Sequence, residues 1–320
     1  MTLREACVRA GAWLEANGVE EGRSHAERLL LHALGIDRAA LLFGRDDLLP
    51  EAKGEEWRAM VRRRATGEPL QYVIGEEWFY GRPFAVTPAV LIPRPETELL
   101  VEAVLAAADR LWPAAAGEAL PEGAGSGISE QPADPGCSSA AVPTVVDVGT
   151  GSGAIAVTLA AQRPAWRLFA SDLSPDALEV ARANAARHGA AGRVSFTQGD
   201  LLAPFVASGG RIDVLVSNPP YIPAADMPEL QREVRDFEPH LALVGGTDGL
   251  DPYRRMLEQL PLLPAMPRIV AFELGMGQPR IVAEMMREMG AWDDIRIIVD
   301  YNGIERHIVA INSAAESDGN

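Results

Sequence analysis

After residue 143 the sequence alternates short apolar, β-branched runs with amphipathic segments of helical period, and no other feature constrains the fold as tightly. Strand-like runs over 145–148, 167–171, 194–198, 212–216, 269–273, 295–299 and 307–311 are interleaved with helix-like segments over 154–162, 175–187 and 281–289. Such alternation predicts β-α-β units, and hence an α/β, doubly wound, Rossmann-like sheet that binds its ligand at the carboxyl ends of the strands.

The chain before that sheet reads differently. Over 1–73, Leu3, Cys7, Ala10 and Leu14 recur at helical spacing, and Ser24-His25-Ala26-Glu27 matches a capping box ahead of Leu29, Leu30, Leu31 and Leu34. A further helix over 51–65 carries Arg62, Arg63 and Arg64, which are expected on a solvated face. Residues 1–73 therefore predict a small all-α domain. Aromatic and β-branched residues broken by Gly81-Arg82-Pro83 predict a β-hairpin linker over 74–93. A catalytic domain over 94–312 follows, opening on a helix over 97–112. Residues 113–143, rich in Ala, Gly, Pro and Ser, are expected to be a flexible insertion, and 313–320 a tail.

Composition excludes several classes. With 48% hydrophobic and 23% charged residues the 320-residue chain is expected to be globular rather than disordered. It has no apolar run of about 18 residues and no leader pattern at its start, so a cytoplasmic location is expected. The formal charge of −16 is uneven: 1–73 holds 11 basic and 12 acidic residues, the remainder 18 and 33. That excess of acid argues against a broad phosphate-binding track, so direct nucleic-acid binding is not expected. Cys7 and Cys137 are the only cysteines, and the five histidines show no ligand spacing, so neither a disulfide framework nor a metal is expected. The chain is expected to be a monomer.

The segment Val145-Val146-Asp147-Val148-Gly149-Thr150-Gly151-Ser152-Gly153-Ala154 is a strand entering a glycine-dense turn and then a helix. Glycine lets the backbone approach a ligand and take positive φ, and the helix start offers unpaired N–H groups. Gly149, Gly151 and Ala154 also fit a dinucleotide fingerprint with Asp172 as its ribose acid. Two features favour S-adenosylmethionine instead. Asp147, at the strand end, suits a cationic ammonium or sulfonium rather than a pyrophosphate. Asp172 can accept two ribose hydroxyls, while Asp200 can receive an adenine amino group with Leu201 against the ring. Together with Thr150 and Ser152, these form the expected cofactor site.

The run 212–217 leads directly into Asn218-Pro219-Pro220-Tyr221. Two prolines after a strand end its pairing and set φ twice, giving a rigid loop. The Asn218 side-chain oxygen and the Pro219 carbonyl can accept both protons of a substrate NH2 while Tyr221 stacks on its planar face, with Pro220 completing the substrate site. An amide or amino nitrogen held so is aimed at a methyl group.

These residues resemble the PrmC/HemK family, the release factor glutamine methyltransferases. The resemblance rests on Leu91-Ile92-Pro93-Arg94-Pro95-Glu96-Thr97-Glu98, the glycine loop, Val216-Ser217-Asn218-Pro219-Pro220-Tyr221-Ile222, Asp248-Gly249-Leu250 with Tyr253-Arg254, and Asp300-Tyr301-Asn302-Gly303 with Arg306. It covers nearly the whole chain. It implies methyl transfer from S-adenosylmethionine, leaving S-adenosylhomocysteine, to the glutamine amide in the Gly-Gly-Gln loop of class I peptide chain release factors. It further implies cofactor contacts at Gly149 to Gly153, Asp172, Asp200, Leu201 and Asn218, and a substrate clamp at Asn218 to Tyr221. The helical domain is then expected to help hold the release factor. Asn-Pro-Pro-Tyr is also used by methyltransferases of adenine or guanine amino groups, so a nucleic-acid base methyltransferase is the alternative. A nicotinamide dehydrogenase leaves that loop unexplained, and a silent binding module on the same fold also stays open.

Overall fold

The computed structural model describes residues 1–113 and 142–314; residues 114–141 of the expected insertion and 315–320 of the expected tail lie outside them. The helical domain comprises α1 (Leu3–Ala16), α2 (Gly22–Leu34), α3 (Arg38–Phe43), α4 (Glu51–Ala65) and α5 (Leu70–Ile74). Its core gathers Leu14, Leu29, Leu30 and Trp57, whose indole N–H donates to the Ala26 carbonyl at 3.1 Å.

Two local expectations are corrected here. The capping box forms at Thr2 and Glu5, not at Ser24, which lies inside α2. The cause is tertiary: a Cβ on Gly22 would sit 2.5 Å from the Gly11 carbonyl oxygen. Glycine at both positions lets α1 and α2 touch at the first turn of α2. Arg64 is not on a solvated face. It is only 4% exposed, donating to the Glu68 carbonyl at 3.0 Å and to His25 Nδ1 at 3.2 Å. Burial and the Arg64 charge push His25 down to about 4, leaving its ring neutral and able to accept that bond.

The hairpin of β1 (Glu76–Phe79) and β2 (Arg82–Ala85) leads to α6 (Glu96–Leu111). There follow β3 (Thr144–Val148), α7 (Ala154–Gln162), β4 (Arg167–Asp172), α8 (Pro175–Arg187), β5 (Val194–Gln198), α9 (Ala203–Ser208) and β6 (Val214–Ser217). The chain ends with α10 (Arg232–Phe237), α11 (Asp251–Gln259), β7 (Ile269–Glu273), α12 (Gln278–Met289), β8 (Asp294–Val299) and β9 (Glu305–Ile311). The short α9, α10 and α11 are additions to the pattern read from the sequence.

Strands β3 to β9 form one sheet in the order β5-β4-β3-β6-β7-β9-β8, parallel except that β9 runs antiparallel to β7 and β8. Alternate residues supply two cores. Val145, Val214 and Val216 pack with Leu100, Val101 and Leu159 of α6 and α7 on one face. Val146, Val148 and Leu215 pack with Phe205, Met256 and Val282 of α9, α11 and α12 on the other. The sheet is thus doubly wound, as expected. After β3 the chain steps to β4 on one side, whereas β6 lies on the other, so a crevice opens above β3 and β6. No helix among the described residues is long and apolar enough to cross a membrane.

Candidate active site

The glycine loop occupies that crevice. Gly149, Gly151 and Gly153 have φ of 71°, 55° and 79°, a region that side chains disfavour. At Gly149 and Gly151 a Cβ would meet open space, so the backbone angle is the constraint; at Gly153 it would also press on Ala181 of α8 at 3.2 Å. The turn is anchored by Gly149 and Thr150 N–H groups donating to the Ser171 carbonyl at 2.8 and 3.0 Å. Asn184, fully buried on α8, donates to the Ser152 carbonyl at 2.8 Å and exchanges hydrogen bonds with both backbone groups of Ala85. It ties the loop to the hairpin, and nothing in its helical sequence context marks it.

The three acids separate by location. Asp172 ends β4 and lines the crevice, accepting from Gly151 N at 2.8 Å and Ser174 N at 2.9 Å. Burial pushes its carboxyl up, against the pull of those bonds. Asp200 also lines the crevice, ion-paired with Arg255 of α11. The adjoining Leu201 has φ 50°, and a Cβ on Gly199 would collide with Pro204, so this turn also has a required shape. Asp147 is a correction: the structure does not place it on the cavity wall. Its side chain faces α7, where Oδ2 accepts from Thr150 Oγ1 at 2.6 Å and Ala156 N at 3.1 Å. Position 147 falls on the same sheet face as Val145, so the loop passes over it rather than beside it. Its Oδ1 is buried without a partner, and burial pushes the carboxyl up to about 7.

Across the crevice, Ser217 ends β6 in register with Val148, and its hydroxyl donates to the Val148 carbonyl at 2.6 Å. Asn218 therefore emerges opposite the glycine loop. Its Nδ2 donates to Thr97 Oγ1 at 3.2 Å, and Thr97 Oγ1 donates in turn to Glu273 Oε2 at 2.6 Å. Arg94 reaches Glu238 at 2.5 Å, joining the Pro93-Arg94-Pro95 turn to the segment after α10. The Gln278 amide donates to the Tyr221 carbonyl at 2.9 Å, and the Tyr253 hydroxyl donates to the Glu273 carbonyl at 2.6 Å. A Cβ on Gly249 would lie 2.1 Å from the Tyr221 carbonyl oxygen, which explains the glycine of Asp248-Gly249-Leu250. Thr97, Glu238 and Glu273 stand apart in sequence, and only the folded chain brings them together.

These elements enclose a cavity of about 390 Å³, within the usual size of small-molecule sites. Gly149, Thr150, Gly151, Ser152, Asp172, Asp200, Leu201, Asn218 and Pro220 all line it. Gly153, Pro219 and Tyr221 are not among its lining residues. The Tyr221 ring packs toward Gly275, and burial pushes its hydroxyl up to about 12, so it holds its proton at neutral pH. The lining cations, Arg94 and Arg255, are both paired with carboxylates. A pyrophosphate thus meets no unpaired cation among the described lining residues, whereas a cationic ligand meets Asp172. Among the described residues no group of three or more His, Cys, Asp or Glu is placed to hold a metal.

Comparison with known proteins agrees with this layout. A model described as PrmC N-terminal domain matches residues 5–75, and one described as methyltransferase domain matches 145–237. The release factor glutamine methyltransferase of Moorella thermoacetica is 43% identical over 97% of this chain and 98% of its own length. That of Bacillus subtilis is 39% identical over 97% and 98%. Among solved structures, the human Mettl16 catalytic domain crystallised with a MAT2A 3′UTR hairpin superposes with a TM-score of 0.52, covering 86% of this chain and 87% of that one. At 13% identity that likeness speaks for the fold alone.

Proposed function

The chain belongs to the release factor glutamine methyltransferase family, and on that premise we propose that it methylates the side-chain amide nitrogen of the glutamine in the Gly-Gly-Gln loop of class I release factors, acting as a monomer in the cytoplasm. The observation that carries this reading is the position of Asn218: it faces the glycine loop across one cavity, with its Nδ2 held by Thr97 and its Oδ1 left to accept from a substrate. The relatives, similar over their full length, support the protein substrate and not the nucleic-acid base alternative.

The residues present fit S-adenosylmethionine. Asp172 retains acceptor capacity for ribose hydroxyls beyond its two backbone bonds. The loop from Gly149 to Gly153 lets the ligand approach the backbone, and the Asp200–Leu201 turn closes the side where an adenine belongs. The bound cofactor supplies the electrophilic methyl.

An amide nitrogen is a weak nucleophile because its lone pair is delocalised into the carbonyl. Asn218 Oδ1 and the Pro219 carbonyl each accept one substrate N–H, which raises electron density on nitrogen and fixes its direction of approach. Orientation in a preset loop then carries much of the rate, since both prolines hold the acceptors without reorganisation. No base is required before attack, consistent with Tyr221 keeping its proton. Pro220 forms part of the substrate-side wall, and Tyr221 supports the loop from behind it, its carbonyl accepting from the Gln278 amide. Asp147 serves the site from below, fixing Thr150 and the first turn of α7.

Titration calorimetry with S-adenosylmethionine and with NAD tests the cofactor. Binding of the first alone is expected; binding of NAD instead overturns the reading.

A further inference from the structure

Asn and Gln amides present a donor on one side and an acceptor on the other, and a clamp that must accept two N–H bonds works in only one of the two orientations. What fixes that orientation at residue 218 is outside the Asn-Pro-Pro-Tyr loop itself. Thr97, on the first turn of α6, lines the cavity, and its hydroxyl sits between the Asn218 amide and the Glu273 carboxylate at the end of β7. Thr97 is 5% exposed and Glu273 3% exposed, so water does not compete for these bonds.

A carboxylate only accepts, so the Thr97 hydroxyl proton is committed to Glu273 at 2.6 Å. The same oxygen is then left only its lone pairs for residue 218, and the group facing it at 3.2 Å must be the NH2. By the planarity of the amide, Oδ1 is turned away from Thr97, and among the described residues no group donates to it. Glu273 is itself held: Tyr253 fixes its carbonyl at 2.6 Å, and its cross-strand partner His307 on β9 backs the carboxylate with Nε2 3.7 Å from Oε2.

We propose that Thr97 and Glu273 are positioning residues forming a two-bond relay that sets the polarity of the Asn218 amide, so that its oxygen rather than its nitrogen meets the substrate NH2. The proposal rests on the methyltransferase reading for its consequence and on the two bonds for its existence. It also gives the threonine of Pro-Arg-Pro-Glu-Thr-Glu a chemical reason: it needs a hydroxyl that can accept and donate at once.

The test compares the full chain with Thr97→Val, Thr97→Ser and Glu273→Gln. Valine keeps the shape without the hydroxyl, serine keeps the hydroxyl, and glutamine offers an NH2 that can reverse the relay. One readout needs no substrate: the side-chain amide protons of Asn218, followed by nitrogen-15 NMR. In the unsubstituted chain one of the two exchanges slowly with solvent; Thr97→Val and Glu273→Gln abolish that protection and Thr97→Ser retains it. The second readout is kinetic. Misorienting the clamp is expected to lower kcat for a release factor by roughly 10- to 100-fold in the first two variants, with affinity for S-adenosylmethionine within about threefold of the parent. Thr97→Ser recovers most of that loss. Unaltered protection of the Asn218 amide in Thr97→Val overturns the relay, as does loss of cofactor affinity in parallel with kcat, which marks a structural role. A protected amide in a parent chain that transfers no methyl to the release factor leaves the relay standing and removes the proposed substrate.

Discussion

Arg64 of the helical domain and Glu233 of the catalytic domain meet at 2.9 Å, with the Arg64 side chain 5% exposed and that of Glu233 38% exposed. Arg232 adds a second tie, donating to the Thr66 carbonyl at 2.9 Å. Around them Tyr72, Val86, Val90 and Ile92 pack with Ala177 of α8 and with Phe237, so the joint between the domains has its own small apolar core. The domain expected to help hold the substrate is therefore fastened to the segment that follows the Asn-Pro-Pro-Tyr loop.

Removing the carboxylate at that joint leaves a buried guanidinium short of a charged partner. Glu233→Ala is expected to destabilise the chain by about 1–3 kcal/mol, less than a fully buried pair would cost, because Glu233 is partly solvated. Urea unfolding measures it; an unchanged midpoint would show that the Glu68 carbonyl and His25 suffice for Arg64.

The burial of Arg64 shows where sequence reading stops. Three consecutive arginines at the end of a helix read as solvated because local pattern carries no record of what packs against it, and Glu233 lies far along the chain. By contrast, α7, α8 and β5 take the bounds that periodicity predicts, since an apolar repeat bounded by glycine or proline is a local property. The glycine loop and Asn218 were legible for the same reason: strand, turn and residue type are contiguous. Asp147 reads from the sequence as a strand-end acid within reach of the ligand, whereas its side chain turns toward α7. Alternation along β3 decides the side, and that depends on which sheet face receives α7. Glu273 reads locally as a strand-end acid, and its bond to Thr97, 176 residues away in sequence, is made only by the fold.

Asp147 makes stability depend on pH in an unusual direction. Folding raises its carboxyl from an ordinary value near 4 to about 7. Between those values the folded chain holds a proton that the unfolded chain has released, so this group's contribution falls as pH rises through the window and levels above it. Asp147→Asn keeps an acceptor for Thr150 and Ala156 and has no charge to bury. Its stability relative to the parent is expected to improve steadily from about pH 4 to 7. Denaturation at several pH values checks this; a difference that stays flat removes the assigned shift.

Asp172 is expected to act on binding rather than turnover. Asp172→Ala loses charge-assisted bonds to ribose hydroxyls worth roughly 1.5–3 kcal/mol, which calorimetry reads as about 10- to 100-fold weaker binding of S-adenosylmethionine. With saturating cofactor, kcat is expected to stay within a few-fold of the parent. Normal affinity in this variant takes Asp172 out of the ligand site.

In the proposed reaction Asn218 presents a release-factor glutamine amide to a methyl donor. The most direct measurement incubates the chain and Asn218→Ala with S-adenosylmethionine and an unmodified class I release factor, then maps added methyl groups by peptide mass spectrometry. One methyl is expected on the glutamine of the Gly-Gly-Gln loop, none on a factor lacking that glutamine, and a rate lower by about 10²- to 10³-fold in Asn218→Ala. A release factor left unmethylated by an enzyme that binds the cofactor, or an Asn218→Ala chain as fast as the parent, contradicts it.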